Sequence, residues 1–349
     1  CGLPTCMAFA MQVAAKQRAL EDCPHVSEEA SSALSESSAP PMKLVTIGSD
    51  ERKFEVGQET VMFRHEEKFH RGTGIAVKFG SGMSDTEIDE KLKTVNADVF
   101  MRVGERLYVK FCAIEVDGVD DPAARVKKIV DTSCLPAIIM GSDAEKVKAA
   151  AGAVKEEKPL IYRAESGNFD AMVAVAKELG LPLAVHASTL EELAEMSQKA
   201  KDAGVEDLML SYDCENLGDT VRTMTIARRA ALKKQFRPLG YPAIVDVKTD
   251  DPMLEPVFAA SCAAKYAGIV IVEGGEPWQV LPVLTIVQDV YTDPQVPNTV
   301  EAKLHEVGNT NENSPVLFTT NFSLTYFSVE GEVERSKVPT YICVVDTEG

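Results

Sequence analysis

Pro136-Ala137-Ile138-Ile139-Met140, Pro159-Leu160-Ile161-Tyr162 and Pro182-Leu183-Ala184-Val185-His186 open at intervals of 23 residues. Each is a short apolar run entered through proline, which ends a helix and is tolerated at the first position of a strand. Runs that are apolar on both faces, alternating with amphipathic stretches such as 190–203, describe a parallel sheet covered by helices. Five more runs extend the beat in both directions: 74–79, 107–116, 207–210, 242–246 and 268–272. Eight such units over about 210–250 residues is the size of a (βα)8 TIM barrel. A doubly wound open sheet is the structural alternative. Two β-rich segments, 43–47 and 59–63, precede the repeat.

The chain of 349 residues is long enough for two or three domains, and its 45% apolar content supports a full core. A net charge of −18 argues against nucleic acid and anionic membranes as partners and favours basic proteins. No apolar run is long enough to span a bilayer and no signal peptide is visible, so the expected location is cytoplasmic. Five scattered cysteines, Cys112, Cys134, Cys214, Cys262 and Cys343, read as buried free thiols of a reducing compartment.

The first 24 residues differ from everything after them. Cys1-Gly2-Leu3-Pro4-Thr5-Cys6 leads into a helix-forming stretch, residues 6–21, that Thr5 can cap, and Cys23-Pro24 follows. Soft thiolates in tight, turn-rich spacing are suited to an iron–sulfur cluster. A zinc site is the other use of such thiols, but it prefers closer cysteine pairs, often with His, and only His25 is near. A four-iron cluster takes four thiolates, and three are present: Cys1, Cys6 and Cys23. The fourth is expected just upstream of Cys1. A Ser/Ala/Pro-rich linker, residues 27–41, follows.

Barrel chemistry lies at the carboxyl ends of strands. Those positions carry Lys78, Arg163, Glu165, His186, Asp213, Asp246, Lys248 and Glu273. Lys248 has the chemistry of a Schiff-base lysine and Glu165 that of a general base. Ion pairing around a barrel mouth accounts for the same residues. No metal-spaced histidine pair or glycine-rich phosphate loop accompanies them, so no catalytic residue is assigned, and His186 reads as a packed histidine.

Beyond a loop-rich stretch, 291–313, a strand (314–321), an amphipathic helix (322–334, with Leu324, Phe327 and Val333 toward one side) and a strand (340–349) form the βαβ opening of a Rossmann-like domain. Ligands of such sheets bind beyond the strand carboxyl ends. Two strands cannot stand alone, so the domain is expected to continue past Gly349.

The cysteine segment, Phe63-Arg64-His65-Glu66, Tyr291-Thr292-Asp293-Pro294-Gln295, Asn311-Glu312-Asn313-Ser314-Pro315-Val316-Leu317, Thr319-Thr320-Asn321-Phe322-Ser323-Leu324-Thr325-Tyr326 and Val345-Asp346-Thr347-Glu348-Gly349 occur together and in order. This set resembles the large (gamma) subunit of the corrinoid iron–sulfur protein of the acetyl-CoA decarbonylase/synthase (reductive acetyl-CoA) pathway, over essentially the whole chain. The resemblance implies an α/β protein of three domains: an iron–sulfur domain and linker (1–41), a TIM barrel (42–290), and a hinge with the start of a corrinoid-binding domain (291–349). It implies a [4Fe-4S] cluster on Cys1, Cys6 and Cys23, and a cobalt corrinoid (cobalamin-type) near Thr319, Thr320, Asn321, Asp346, Thr347 and Gly349. The implied function is methyl carriage in anaerobic carbon fixation and one-carbon metabolism. Cobalt takes a methyl from methyl-tetrahydropterin through a methyltransferase and passes it to acetyl-CoA synthase/CO dehydrogenase, while the cluster reduces Co(II) to Co(I). A smaller barrel subunit completes a heterodimer. Two rival readings are a TIM-barrel methyltransferase or lyase with an accessory cluster, and an electron-transfer scaffold without corrinoid.

Overall fold

The computed structural model describes residues 2–3, 5–14, 18, 22–25, 27, 40–293, 296 and 298–347. Helix α1 (Cys6–Ala14) starts where Thr5 Oγ1 accepts the Ala8 N–H at 3.1 Å. Cys1, the later part of the expected 6–21 helix and most of the 27–41 linker lie outside the described residues.

Strands β1 (Leu44–Ile47) and β2 (Phe54–Gly57) form an antiparallel hairpin. The expected second strand at 59–63 is not one. Its backbone acceptors are taken by side chains instead: Arg228 donates to the Val61 carbonyl and Tyr266 to that of Met62. Gly57, opposite Leu44 at the open end of the hairpin, sits at φ +102, and a Cβ there would lie 2.0 Å from the Lys43 carbonyl oxygen, so only a glycine fits against β1 at this point.

The barrel begins with β3 (Gly74–Phe79) and α2 (Asp85–Ala97). A small hairpin follows, β4 (Phe100–Arg102) and β5 (Glu105–Leu107), before β6 (Phe111–Glu115) and α3 (Pro122–Ser133). The single run expected over 107–116 is thus split. Val103 and Gly104 both have positive φ, the geometry of a two-residue hairpin turn, and Val103 masks that signal in the sequence.

The remaining units are β7 (Ala137–Met140) with α4 (Ala144–Ala153), β8 (Leu160–Ala164) with α5 (Phe169–Leu179), and β9 (Leu183–Val185) with α6 (Leu190–Asp202). Then come β10 (Leu208–Cys214) with α7 (Leu217–Lys234), β11 (Ala243–Val247) with α8 (Glu255–Ala264), and β12 (Ala267–Val272) with α9 (Pro277–Tyr291). The parallel strands run β3-β6-β7-β8-β9-β10-β11-β12, and β12 pairs back onto β3, Ile269 opposite Gly74. Closure excludes the open sheet.

Strand alternation sorts the barrel into two cores. Ala76, Phe111, Ile138, Leu160, Met209 and Ile244 point inward. Their neighbours Ile75, Cys112, Ile139, Ile161, Leu208 and Val245 point outward against the helices. Val45, Ile47 and Val56 of the first hairpin join the inner core and plug the amino end of the barrel. Burying a side chain such as Ile138 contributes about 1.5–3 kcal/mol.

The C-terminal unit holds β13 (Leu304–Val307), β14 (Val316–Thr320), α10 (Ser323–Ser336) and β15 (Thr340–Val345). β14 and β15 are parallel, as a βαβ unit requires, and β13 adds an antiparallel strand on the far side of β15. The stretch read as loop therefore contains a strand. Its Leu-His-Glu-Val pattern is too short and polar to stand out. Of the residues expected on one side of α10, Val333 is buried and Phe327 packs against the same small core, but Leu324 faces solvent and Tyr326 takes its place. Cys112, Cys214 and Cys262 are buried as expected; Cys134 is exposed at a left-handed helix end and Cys343 is half-buried, because neither faces a core.

Candidate functional site

Three places carry the residues singled out above. The first is the amino end. Cys6 is exposed at the first turn of α1, where unpaired backbone N–H groups favour an anion, and Cys23 is half-buried beyond the helix. Both thiols are free. A free thiol at a helix N-terminus and a second one after a turn fit a thiolate-ligated cluster. Among the described residues no group of three ligating side chains is assembled, and Cys1 lies outside them.

The second place is the carboxyl end of β14 and β15. Asn321 is buried there and bridges both loops. Its Nδ2 donates to Asp346 Oδ1 at 2.9 Å, and its Oδ1 accepts from Thr347 Oγ1 at 2.9 Å and from the Thr347 N–H at 3.3 Å. Thr319 and Thr320 precede it, in register with Val344 and Val345. The Thr320 hydroxyl oxygen is buried and has no partner. An orphaned hydroxyl beside two clamped loops fits a large cofactor rich in amide groups, whose N–H and C=O groups can satisfy it. Gly349 lies outside the described residues.

The third place is the barrel mouth. Asp246 follows the inward Ile244, Lys78 follows Ala76 and Glu273 follows Ile271, so alternation aims these charges into one ring. Lys78 Nζ lies 2.9 Å from Glu115 and 2.5 Å from Glu273. Arg163 binds Glu165 at 2.7 Å and Asp213 at 2.6 Å. Lys248 lies 3.2 Å from Asp213 and 3.7 Å from Asp246. His186 places Nδ1 3.0 Å from the Ser211 carbonyl. Burial works against the Lys78 ammonium, yet its two carboxylate partners more than offset this and hold its pKa above the ordinary lysine value. Burial likewise opposes the charge of Asp213, and Arg163 overcomes it, so that carboxyl titrates lower than usual. Asp246 is the exception: burial dominates over Lys78 and Lys248 and pushes it up to about 6.

The mouth is thus a mutually neutralising network around a cavity of about 280 Å³. Lys248 sits between two carboxylates, in the ion-pairing role that accounts for charged residues around a barrel mouth. Sequence reading missed Glu115, Tyr162 and Ser211; the i+2 step beyond each inward residue is the signal that finds them. A larger groove of about 1000 Å³ runs outside the barrel between α5 and α6, but helix-surface side chains such as Asp170, Lys177 and Lys199 line most of it. No helix among the described residues is long and apolar enough to cross a membrane.

The fold defines a (βα)8 barrel protein that carries a cysteine-bearing amino segment and a small βαβ unit. Comparison with known proteins gives the family. The CO dehydrogenase/acetyl-CoA synthase delta subunit family model matches residues 44–349, and an Fe-S cluster family model matches residues 1–25. The chain is 42% identical to the corrinoid/iron-sulfur protein large subunit of Moorella thermoacetica, covering 100% of this chain and 79% of that protein. It is 32% identical to the acetyl-CoA decarbonylase/synthase complex subunit gamma of Methanothermobacter thermautotrophicus, covering 100% of this chain and 79% of the relative. For the gamma subunit of Methanopyrus kandleri the identity is 36%, with 100% and 78% covered. The chain belongs to this family, and the end-to-end matches, which include the cysteine segment, place it with the large (gamma) subunits.

Proposed function

We propose that the protein is a methyl-group carrier that uses a corrinoid and a [4Fe-4S] cluster. The observation that carries this reading is the 42% identity to a corrinoid/iron-sulfur protein large subunit along the entire chain. When bound, the corrinoid supplies a cobalt nucleophile that accepts a methyl from methyl-tetrahydropterin and yields it to acetyl-CoA synthase, and the cluster supplies the low-potential electron that returns Co(II) to Co(I). Cys1, Cys6 and Cys23 hold the cluster. Thr319, Thr320, Asn321, Asp346, Thr347 and Gly349 hold the corrinoid: Asn321 sets the spacing of the two loops, and Thr320 offers its free hydroxyl oxygen. Three domains, 1–41, 42–290 and 291–349, divide the work, and the barrel with its self-paired mouth is scaffold and docking face. The partners are a small corrinoid subunit, the methyltransferase and acetyl-CoA synthase/CO dehydrogenase, in the cytoplasm.

The test is metal content and electron paramagnetic resonance on full-length protein purified without oxygen. About four irons with a reducible cluster, and about one cobalt with a Co(II) signal, is the expected result. Iron without cobalt after reconstitution with corrinoid and the small subunit leaves an electron-transfer scaffold. Zinc in place of iron overturns the reading of the cysteines.

A further inference from the structure

Strands β4 and β5 form a two-stranded sheet of their own, outside the closed barrel. A lone hairpin is marginal in water, so this one needs anchors. Gln288 of α9 supplies one: its Nε2 donates to the Arg102 carbonyl and to Glu105 Oε2, each at 3.0 Å. Arg102 Nη1 adds a bond to Asp289 Oδ1 at 2.8 Å, and Leu107 is buried in the outer core. The hairpin tip then meets the C-terminal unit at two adjacent residues. Phe327 of α10 lies so close to Gly104 that a Cβ there would stand 2.6 Å from its ring. Glu105 Oε1 accepts a hydrogen bond from Asn298 Nδ2 at 2.8 Å.

Asn298 passes this contact on to the loops after β14 and β15. Its carbonyl accepts the Ser323 N–H at 2.9 Å, Thr299 bridges Phe322, and the Val300 N–H donates to the Asn321 carbonyl at 2.8 Å. Asn321 is the residue that clamps Asp346 and Thr347. A chain of polar contacts therefore runs from α9 of the barrel, through Glu105 and Asn298, to that clamp. The contact at its centre is one that can open. Glu105 and Asn298 are exposed, so water replaces their bond at small net cost. A cavity of about 500 Å³ lies beside the joint, lined by residues such as Tyr108, Lys110, Gln288 and Asn298, so the two units touch there without close packing. Because both belong to one chain, weak contacts suffice to hold them together.

We propose that the β4–β5 hairpin is a latch that sets the resting orientation of the C-terminal unit against the barrel, with Gly104 and Glu105 as its positioning residues. What the latch positions, a bound corrinoid, rests on the reading above. The test is double electron–electron resonance on full-length protein with its cluster oxidised. One nitroxide is placed on exposed Cys134 and one on Leu324→Cys, exposed on α10, with Cys343→Ser in every protein. One narrow distance distribution is expected with the latch intact. Glu105→Ala and Asn298→Ala, made singly, are expected to at least double its width, while thermal unfolding and iron content stay unchanged. Gly104→Ala should do the same by pushing Phe327 away, and Asn298→Ala carries the test if that strained turn does not fold. Glu105→Gln keeps an oxygen for the Asn298 amide and is expected to keep the narrow distribution, which sets the hydrogen bond apart from a general loss of stability. A broad distribution with the latch intact, or a narrow one in the folded Glu105→Ala and Asn298→Ala variants, overturns the proposal. Cobalt content after reconstitution is read separately: a latched unit that takes up no cobalt overturns the corrinoid reading and leaves the latch in place.

Discussion

Arg163 at the end of β8 grips Asp213 at the end of β10 through two hydrogen bonds, Nη1 to Oδ1 at 2.6 Å and Nη2 to Oδ2 at 2.9 Å, reaching across β9 to do so. The same guanidinium holds Glu165 through Nε at 2.7 Å. A planar fork on a carboxylate is the strongest ordinary ion-pair geometry, and both side chains are largely out of water.

Removing one partner of this pair leaves the other charge buried and alone. Arg163→Met is expected to lower stability by about 3 kcal/mol, while Arg163→Met with Asp213→Leu recovers most of the loss. Urea unfolding of the three proteins checks this. A single variant as stable as wild type would show that the pair is solvated in solution.

Asp246 titrates at about 6 in the folded chain, against an ordinary value of 3.8. Between those values the folded state keeps a proton that the unfolded chain has released. The contribution of this group to stability is therefore full below about pH 4 and falls as pH rises through 6, by roughly 3 kcal/mol. Asp246→Asn should match wild type near pH 4 and exceed it above pH 7. Urea midpoints measured at intervals between these values decide the matter, and parallel curves for the two proteins would count against it.

Cys6→Ser and Cys23→Ser, made singly in full-length protein, are expected to abolish the cluster signal and drop iron from about four atoms toward none. The barrel core shares no residue with this segment, so far-ultraviolet circular dichroism should hold. Retention of iron in either variant would remove that cysteine from the ligand set.

Asn321→Ala breaks the clamp between the loops after β14 and β15. Corrinoid affinity is expected to fall at least tenfold, with iron content unchanged, because two loops then lose their common hydrogen-bond partner. Equilibrium titration with the corrinoid, followed by absorbance, measures the change. Asn321→Asp tests the clamp further: a carboxylate still accepts from Thr347 but faces Asp346 as a like charge, so it should bind as poorly as the alanine variant.

The residue pattern carried the barrel a long way. Pro136, Pro159 and Pro182 mark three strand starts, and inward Ile138, Leu160 and Ala184 follow each by one or two positions. The thiol spacing at Cys1, Cys6 and Cys23 and the order of motifs along the chain point to the family without the fold. The reading failed where local signals were weak or misleading: Val103 hid a hairpin turn, and Leu304–Val307 was too short to declare itself. At 59–63 the apolar residues promised a strand, but Arg228 and Tyr266 claimed its backbone.

Local composition and period are written within a few residues of one another, so helix, strand and the inward or outward face of each side chain follow directly from the chain. Closure of β12 onto β3, the grip of Arg163 on Asp213 and the hydrogen bond from the Glu273 N–H to the Glu255 carboxylate join residues that are 18 or more positions apart. Those partners meet because strand order and register bring them there, and packing of the whole barrel sets both. The shifted acidity of Asp246 has the same origin: burial under neighbouring strands, not its own neighbours in sequence, denies its charge the water it would need.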